Sequence, residues 1–183
     1  MFIFHTTSRL GSGVIAPQVN AGWRPPPTGC FNMNVDASIV ENSSLVGMGM
    51  VIRNDAGQVM AATSLRLTAN FSPLVAEAAA VLHGLRLAKD IGVASLLIES
   101  DAKGVIHAIN LGLAPCSDVG LVISDIFVLA RELNVLSFSF VPRIANRVAD
   151  FLANAAYSFA FDLVWIEPCP PDVVLLVQDD FPV

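Results

Sequence analysis

Phe31-Asn32-Met33-Asn34-Val35-Asp36 alternates, with Phe31, Met33 and Val35 pointing one way and Asn32, Asn34 and Asp36 the other. A period of two is the pattern of a half-buried strand, one face on a core and one on water. An acid, Asp36, stands at its end. Downstream, Leu45 to Arg53 and Val59 to Leu67 read as two more strands, joined by Asn54-Asp55-Ala56-Gly57, a string of turn formers that suits a hairpin. The three strands make an antiparallel meander.

The pattern then turns helical. Ser72-Pro73 supplies an N-cap and a first helical residue. At ~100° per residue, Leu74, Ala78, Val81, Leu85 and Ala88 share one stripe, with His83, Arg86 and Asp90 nearly opposite. Gly92 ends this helix. Ser95 to Ser100 reads as a short apolar strand, and Asp101 stands where it passes into a helix reaching Leu111. Gly112 to Cys116 breaks that helix, Ser117 or Asp118 caps the next as far as Leu133, Val135 to Val141 alternates as a strand, and a last helix covers Ala145 to Phe161. This order predicts an α/β fold: a five-stranded mixed sheet, three antiparallel strands plus two parallel, flanked by helices in right-handed crossovers.

The expected domain is 23–162, opened by the stiff Trp23-Arg24-Pro25-Pro26-Pro27. Before it, residues 1–22 lack periodicity and read as a loosely ordered leader. Residues 163–183 read as an acidic tail, where Trp165, Pro168, Pro170 and Pro171 prevent the last helix from continuing and Val173 to Val177 with Asp179 and Asp180 are amphipathic.

Of 183 residues, 54% are hydrophobic and 14% charged, enough for one core and too apolar for a disordered polyelectrolyte. The mean hydropathy of +0.64 raises the question of a membrane. Gly, Pro or a charge breaks each apolar run before about 18 residues, so no membrane span is expected. Cys30, Cys116 and Cys169 are odd in number, far apart and include no CxxC pair, so neither a disulfide framework nor a zinc site is indicated, and a reducing intracellular compartment, nucleus or cytoplasm, fits best. The acid-free stretch before Asp36, with Arg9 and Arg24, also has a faint organelle-transit character.

Four acids fall at the ends or edges of elements: Asp36, Glu77, Asp101 and Asp150. If the strands ending in Asp36 and Asp101 are parallel neighbours, both side chains emerge at one edge of the sheet, where open α/β sheets bind ligands. Clustered carboxylates repel unless a cation holds them, and oxygen donors without His or Cys suit Mg or Mn. Each also has an ordinary reading. Asp at a strand end is a common turn former or helix cap. Asp150 lies beside Arg147, Asn154 and Tyr157 on what reads as a solvated face, with an ion pair to Arg147 in reach. Glu77 is more telling, since it borders the apolar stripe, where an unpaired carboxylate is costly.

Asn34-Val35-Asp36-Ala37-Ser38, Ala76-Glu77-Ala78, Ile98-Glu99-Ser100-Asp101 and Asn146-Arg147-Val148-Ala149-Asp150-Phe151-Leu152-Ala153, in this order and these contexts, resemble the ribonuclease H type-1 fold. More narrowly, the chain resembles the reverse-transcriptase-like ribonuclease H group abundant in plants. The lead-in Trp23 to Pro27, the hairpin Val51 to Gly57, the Val141-Pro142-Arg143 loop and Trp165-Ile166-Glu167 with Pro171 match that group too. The resemblance implies a metal-dependent endoribonuclease acting on the RNA strand of RNA:DNA hybrids, with two Mg ions, or Mn in their place, about 3.5–4 Å apart. It implies that Asp36 bridges both ions, Glu77 and Asp101 share the one on the attacking side, and Asp150 completes the other. Ala37 and Ser38, with Glu77, would contact 2'-hydroxyls, and a monomer is expected.

Some positions depart from bacterial relatives. Ala37 stands where they carry Gly, Pro73 and Leu74 stand where they carry hybrid-holding Asn, and no His occupies the mobile loop, where Arg143 stands instead. Arg143 cannot serve as a base; it can bind a phosphate or pair with Asp150. These departures support an alternative: a retroelement-derived nucleic-acid or protein interaction module with the same fold and little or no catalysis.

A net charge of -6 and a pI near 4.8 argue against a broadly basic nucleic-acid surface. Yet Glu167, Asp172, Asp179 and Asp180 supply four of the six excess charges, and the chain up to Asp162 has 12 acids against 10 bases. Setting the four candidate ligands aside turns that balance to +2.

Overall fold

The computed structural model describes residues 22–41, 43–112, 117–159, 161–166 and 171–180; the leader up to Ala21, Cys116, Cys169 and Glu167 lie outside them. Phe31–Ile39 (β1), Leu45–Arg53 (β2) and Val59–Thr68 (β3) form the antiparallel meander. The turn between β2 and β3 is closed by Asn54, whose Oδ1 accepts from the Ala56 and Gln58 amides, with Gly57 at φ +77°. Leu96–Ser100 (β4) runs parallel to β1, and Ser137–Phe140 (β5) parallel to β4.

The sheet has six strands, not the five expected from sequence. Leu163–Ile166 (β6) pairs antiparallel with β3, giving the order β5-β4-β1-β2-β3-β6. Without it, β3 would present an unpaired edge. The segment is apolar, Pro-free and anchored at its start by Asp162, which accepts from the Arg66 amide at 2.9 Å.

Pro73–Asp90 (α1), Lys103–Asn110 (α2) and Asp118–Glu132 (α3) contribute to the core on one face of the sheet, while Arg147–Ala155 (α4) and Pro171–Asp180 (α5) cover the other. Consequently β1 is not half-buried. Met33 and Val35 are buried in the α1 layer, and Asn32, Asn34 and Asp36 are also buried on the opposite face. The α1 helix is likewise more enclosed than a single stripe implies, because it packs on both β1 and α3; its buried set runs through Ala76, Ala78 to Leu82, Gly84, Leu85, Leu87 and Ala88. Leu74, expected on that stripe, is exposed. The last long helix ends at Ala155 rather than Phe161, since the chain turns at 156–158 and sends Tyr157 back to β1, its hydroxyl donating to Ser38 O. Among the aromatics of the later elements, Phe138 is buried, whereas Phe140, Phe151 and Phe161 are exposed.

No described helix is long and apolar enough to cross a membrane. Lys89 and Glu132 join α1 to α3 at 2.6 Å, with side chains about half exposed. Solvent screens such a pair, so Lys89→Ala is expected to cost less than about 1 kcal/mol in urea denaturation.

Candidate active site

The parallel register pairs Asn34 with Glu99, so Asp36 and Asp101, each two residues on, stand side by side where β4 ends; Asp36 does not close its strand, since pairing with β2 carries β1 on to Ile39. Glu77 comes from the second turn of α1, whose N-cap Ser72 accepts from Val75 N and whose Pro73 opens the helix. Asp150 comes from α4. That helix lies close on β2 because Gly47 and Gly49 have no side chain: a Cβ at Gly49 would stand 2.1 Å from Ala149 O. Gly49 is the register partner of Asp36, so the same close approach that seats α4 brings Asp150 to the carboxylates of the sheet. All seven site residues read from sequence, Asp36, Ala37, Ser38, Glu77, Asp101, Arg143 and Asp150, line one open cleft of about 200 Å³, together with Ala102 and Asn154.

The electrostatics are those of crowded acids. Burial, followed by the charges of Glu77, Asp101 and Asp150, raises the Asp36 pKa from 3.8 to about 9, and Asp101 lies within hydrogen-bonding reach of it. Burial and Asp101 raise Glu77 from 4.5 to about 8, although the Ala37 backbone N–H donates to its carboxylate. Glu77 Oε2 is buried without any partner. An orphaned carboxylate oxygen beside a second buried acid is what a cation would satisfy, and an all-oxygen donor set fits a hard divalent ion. Among the described residues, no three His, Cys, Asp or Glu donors stand ready around a single point. An ion would therefore have to draw these side chains together.

The sequence profile of the reverse-transcriptase-like family matches residues 34–156, about two-thirds of the chain, from within β1 to the end of α4. The chain belongs to the reverse-transcriptase-like, ribonuclease H-type family. A similar curated protein, from Arabidopsis thaliana and named "Putative ribonuclease H protein", is 25% identical over 170 residues, 92% of this chain. The chain spans only 27% of that relative's length. Among solved structures, the ribonuclease H1 of the archaeon Halobacterium salinarum aligns with a TM-score of 0.65 at 22% identity, over 71% of this chain and 98% of its own. The LC11 ribonuclease H1, isolated from compost and crystallised with an RNA/DNA hybrid, aligns at 0.63 and 19%, over 70% of this chain and 96% of its own. These likenesses establish a ribonuclease H-like fold.

Within this family fold, Asp150 does not sit on a solvated face beside Arg147. It faces the cleft and pairs with Arg143 from the 3-10 turn Arg143–Ala145. Asn154, one turn on, donates to Asp150 O at 2.8 Å and accepts from Ser38 Oγ at 2.9 Å, so α4 fixes the rim of the site. Two site neighbours escape sequence reasoning. Asn146 is fully buried and donates to Val35 O at 3.0 Å and Asp101 Oδ1 at 3.3 Å. Asn34, also fully buried, donates to Asn146 Oδ1 at 3.2 Å and Glu99 Oε2 at 3.1 Å. The available signal was polar residues at every other position of a strand that is central in the sheet.

Proposed function

We propose that the chain is a divalent-metal-dependent endoribonuclease that hydrolyses the RNA strand of RNA:DNA hybrids. The observation that carries this reading is the gathering of four carboxylates from β1, α1, the β4–α2 junction and α4 in one cleft, where burial and mutual repulsion raise Asp36 and Glu77 despite the charge of Arg143 nearby. Two Mg ions bound there would supply an activated water and neutralise charge on the leaving oxygen. Asp36, at the centre of the cluster, would hold both ions, Glu77 and Asp101 the one on the attacking side, and Asp150 the other.

The rest falls to this chain's own groups. The Ala37 N–H is already committed to Glu77, so it holds that carboxylate in place. Recognition of a ribose 2'-hydroxyl then passes to Ser38, whose hydroxyl donates to Asn154 and keeps its lone pairs for a donor from substrate. Arg143 has a mostly exposed side chain and can leave Asp150 for a phosphate. Arg143→Ala is expected to raise KM for a hybrid about 5-fold while leaving Mn affinity within twofold, because one exposed charge contact is worth about 1 kcal/mol. Steady-state cleavage and calorimetry check both halves.

The reading itself is tested by titrating the protein with Mn in a calorimeter and by following a labelled hybrid in Mg. Saturable Mn binding with cleavage confined to the RNA strand is expected; neither appearing would end it. The Arg143–Asp150 contact and, among the described residues, the absence of a ready three-donor point favour the second reading, a nucleic-acid or protein interaction module with little turnover. Tight hybrid binding in Ca without cleavage in Mg or Mn would select that one.

A further inference from the structure

A chain of buried polar side chains runs from the end of α5 to the carboxylate site. Asp180 and Arg53 pair at 2.9 Å with side chains 1% exposed. The other arm of Arg53 donates to Asn34 Oδ1 at 2.7 Å, and Trp23 lies under the guanidinium, 3.5 Å from its centre. Asn34 Nδ2 donates to Asn146 Oδ1, and Asn146 Nδ2 to Asp101 Oδ1.

The chemistry gives this chain a direction. An amide side chain can turn end for end, exchanging donor and acceptor, unless a neighbour forbids it. Arg has donors only, so its contact fixes Asn34 with oxygen toward Arg53 and NH2 toward Asn146. Asn146 must then present its oxygen to Asn34 and its NH2 to Val35 O and Asp101. Reversing Asn34 would set nitrogen against nitrogen at Arg53 and oxygen against oxygen at Asn146. Arg53 is held in turn by Asp180, with Glu99 as the other acid within its field. Stability alone explains the arrangement poorly. A buried ion pair is a weak stabiliser compared with apolar side chains of similar volume, and this one leaves Arg53 Nε and Asp180 Oδ1 without partners.

We infer that Asp180 and Arg53 are positioning residues for the carboxylate site: through Asn34 and Asn146 they fix the orientation of Asp101, so that α5 is part of the machinery that shapes metal binding. The inference rests on the proposed metal site. Val173, Val177 and Asp180 form the buried edge of α5, the two valines packing with Val51, Ala62, Val148 and Leu152. That packing places Asp180 against Arg53.

The decisive variant removes the pair together, Arg53→Met with Asp180→Leu. Since an apolar pair commonly replaces a buried ion pair without loss of stability, this protein is expected to melt at or near the wild-type temperature. Its Mn affinity, read by calorimetry well below that temperature, is expected to fall about tenfold, the lower range for loss of outer-shell support. Asp179→Ala, at an exposed neighbour, leaves affinity unchanged. If the double variant proves unstable, Asp180→Glu, which keeps the charge, is expected to retain Mn affinity within about threefold and Asp180→Asn to lose more. Wild-type Mn affinity in a folded double variant, or equal affinities in the Glu and Asn variants, would overturn the inference while leaving the metal site intact. No Mn binding by the wild-type protein would instead overturn the metal site on which it rests.

Discussion

Asp36→Asn and Asp101→Asn proteins are expected to fold normally and to lose hybrid cleavage by ~10³-fold or more, comparable to or beyond the loss of a single electrostatic contact to a transition state. Asp36 is the acid that Glu77, Asp101 and Asp150 all act upon, so its loss removes the shared centre of the proposed site. The folded protein should not suffer. In metal-free protein the Asp36 pKa is about 9 against 3.8 for the free group, and that of Glu77 about 8 against 4.5. Between about pH 4 and 9 the unfolded chain therefore gives up protons that the folded one keeps, and stability falls as pH rises through this window. Asp36→Asn abolishes its share of that slope and stabilises the metal-free protein above pH 7, on the order of a few kcal/mol at most. Divalent metal should reverse the wild-type slope and have a much smaller effect on the variant. Urea denaturation at pH 5 and pH 8.5, with and without Mn, reads the slope. Cleavage at wild-type rates in both variants would remove these carboxylates from the reaction.

Part of the candidate site was legible in the sequence because the alternation through Asp36 and the apolar run ending at Ser100 mark their strands without reference to tertiary structure, although β1 runs on past Asp36 to Ile39 and Glu77 lies in the second turn of its helix. Parallel pairing then brings Asp36 and Asp101 together at one edge. The hidden part depends on faces that only packing defines. Asn32 and Asn34 occupy alternate positions, which reads as a solvent face; α4 and its approach cover that face and turn the same residues into a buried network. Arg53 reads as an ordinary strand-end cation until α5 brings Asp180 onto it. The sixth strand escaped for a related reason, since four residues near several prolines have no periodicity to read, and the unpaired edge of β3 recruits them. Asp150 shows both limits at once. Its place on a helix was readable, but whether that helix face met water or the sheet depended on two glycines of another strand.

Those glycines carry the largest expected effect on the fold. A Cβ at Gly49 would lie 2.1 Å from Ala149 O, 2.4 Å from Ala153 N and 2.8 Å from Leu152 Cβ, and one at Gly47 would lie 2.1 Å from Ala153 O. Overpacking costs about 1–3 kcal/mol where side chains can shift. Here the obstacles are the backbone of α4 itself, so the helix has to move as a unit. That motion would strain the contacts of Val148 and Leu152 with Val51 and Ala62 and carry Asp150 away from Asp36. Gly49→Ala is therefore expected to lose at least about 3 kcal/mol, a large share of a typical total of about 5–15, and to weaken Mn binding in whatever fraction remains folded. Gly104→Ala provides the contrast. Its new methyl would meet only Leu74 Cδ1, at 3.3 Å, the end of an exposed side chain, and alanine favours a helix over glycine by about 1 kcal/mol. That variant is expected to be as stable as wild type or slightly more so, with Mn affinity unchanged. Equal urea midpoints for the two variants would mean that α4 is not seated by its contact with β2. The meeting of Asp150 with Asp36 would then need another cause.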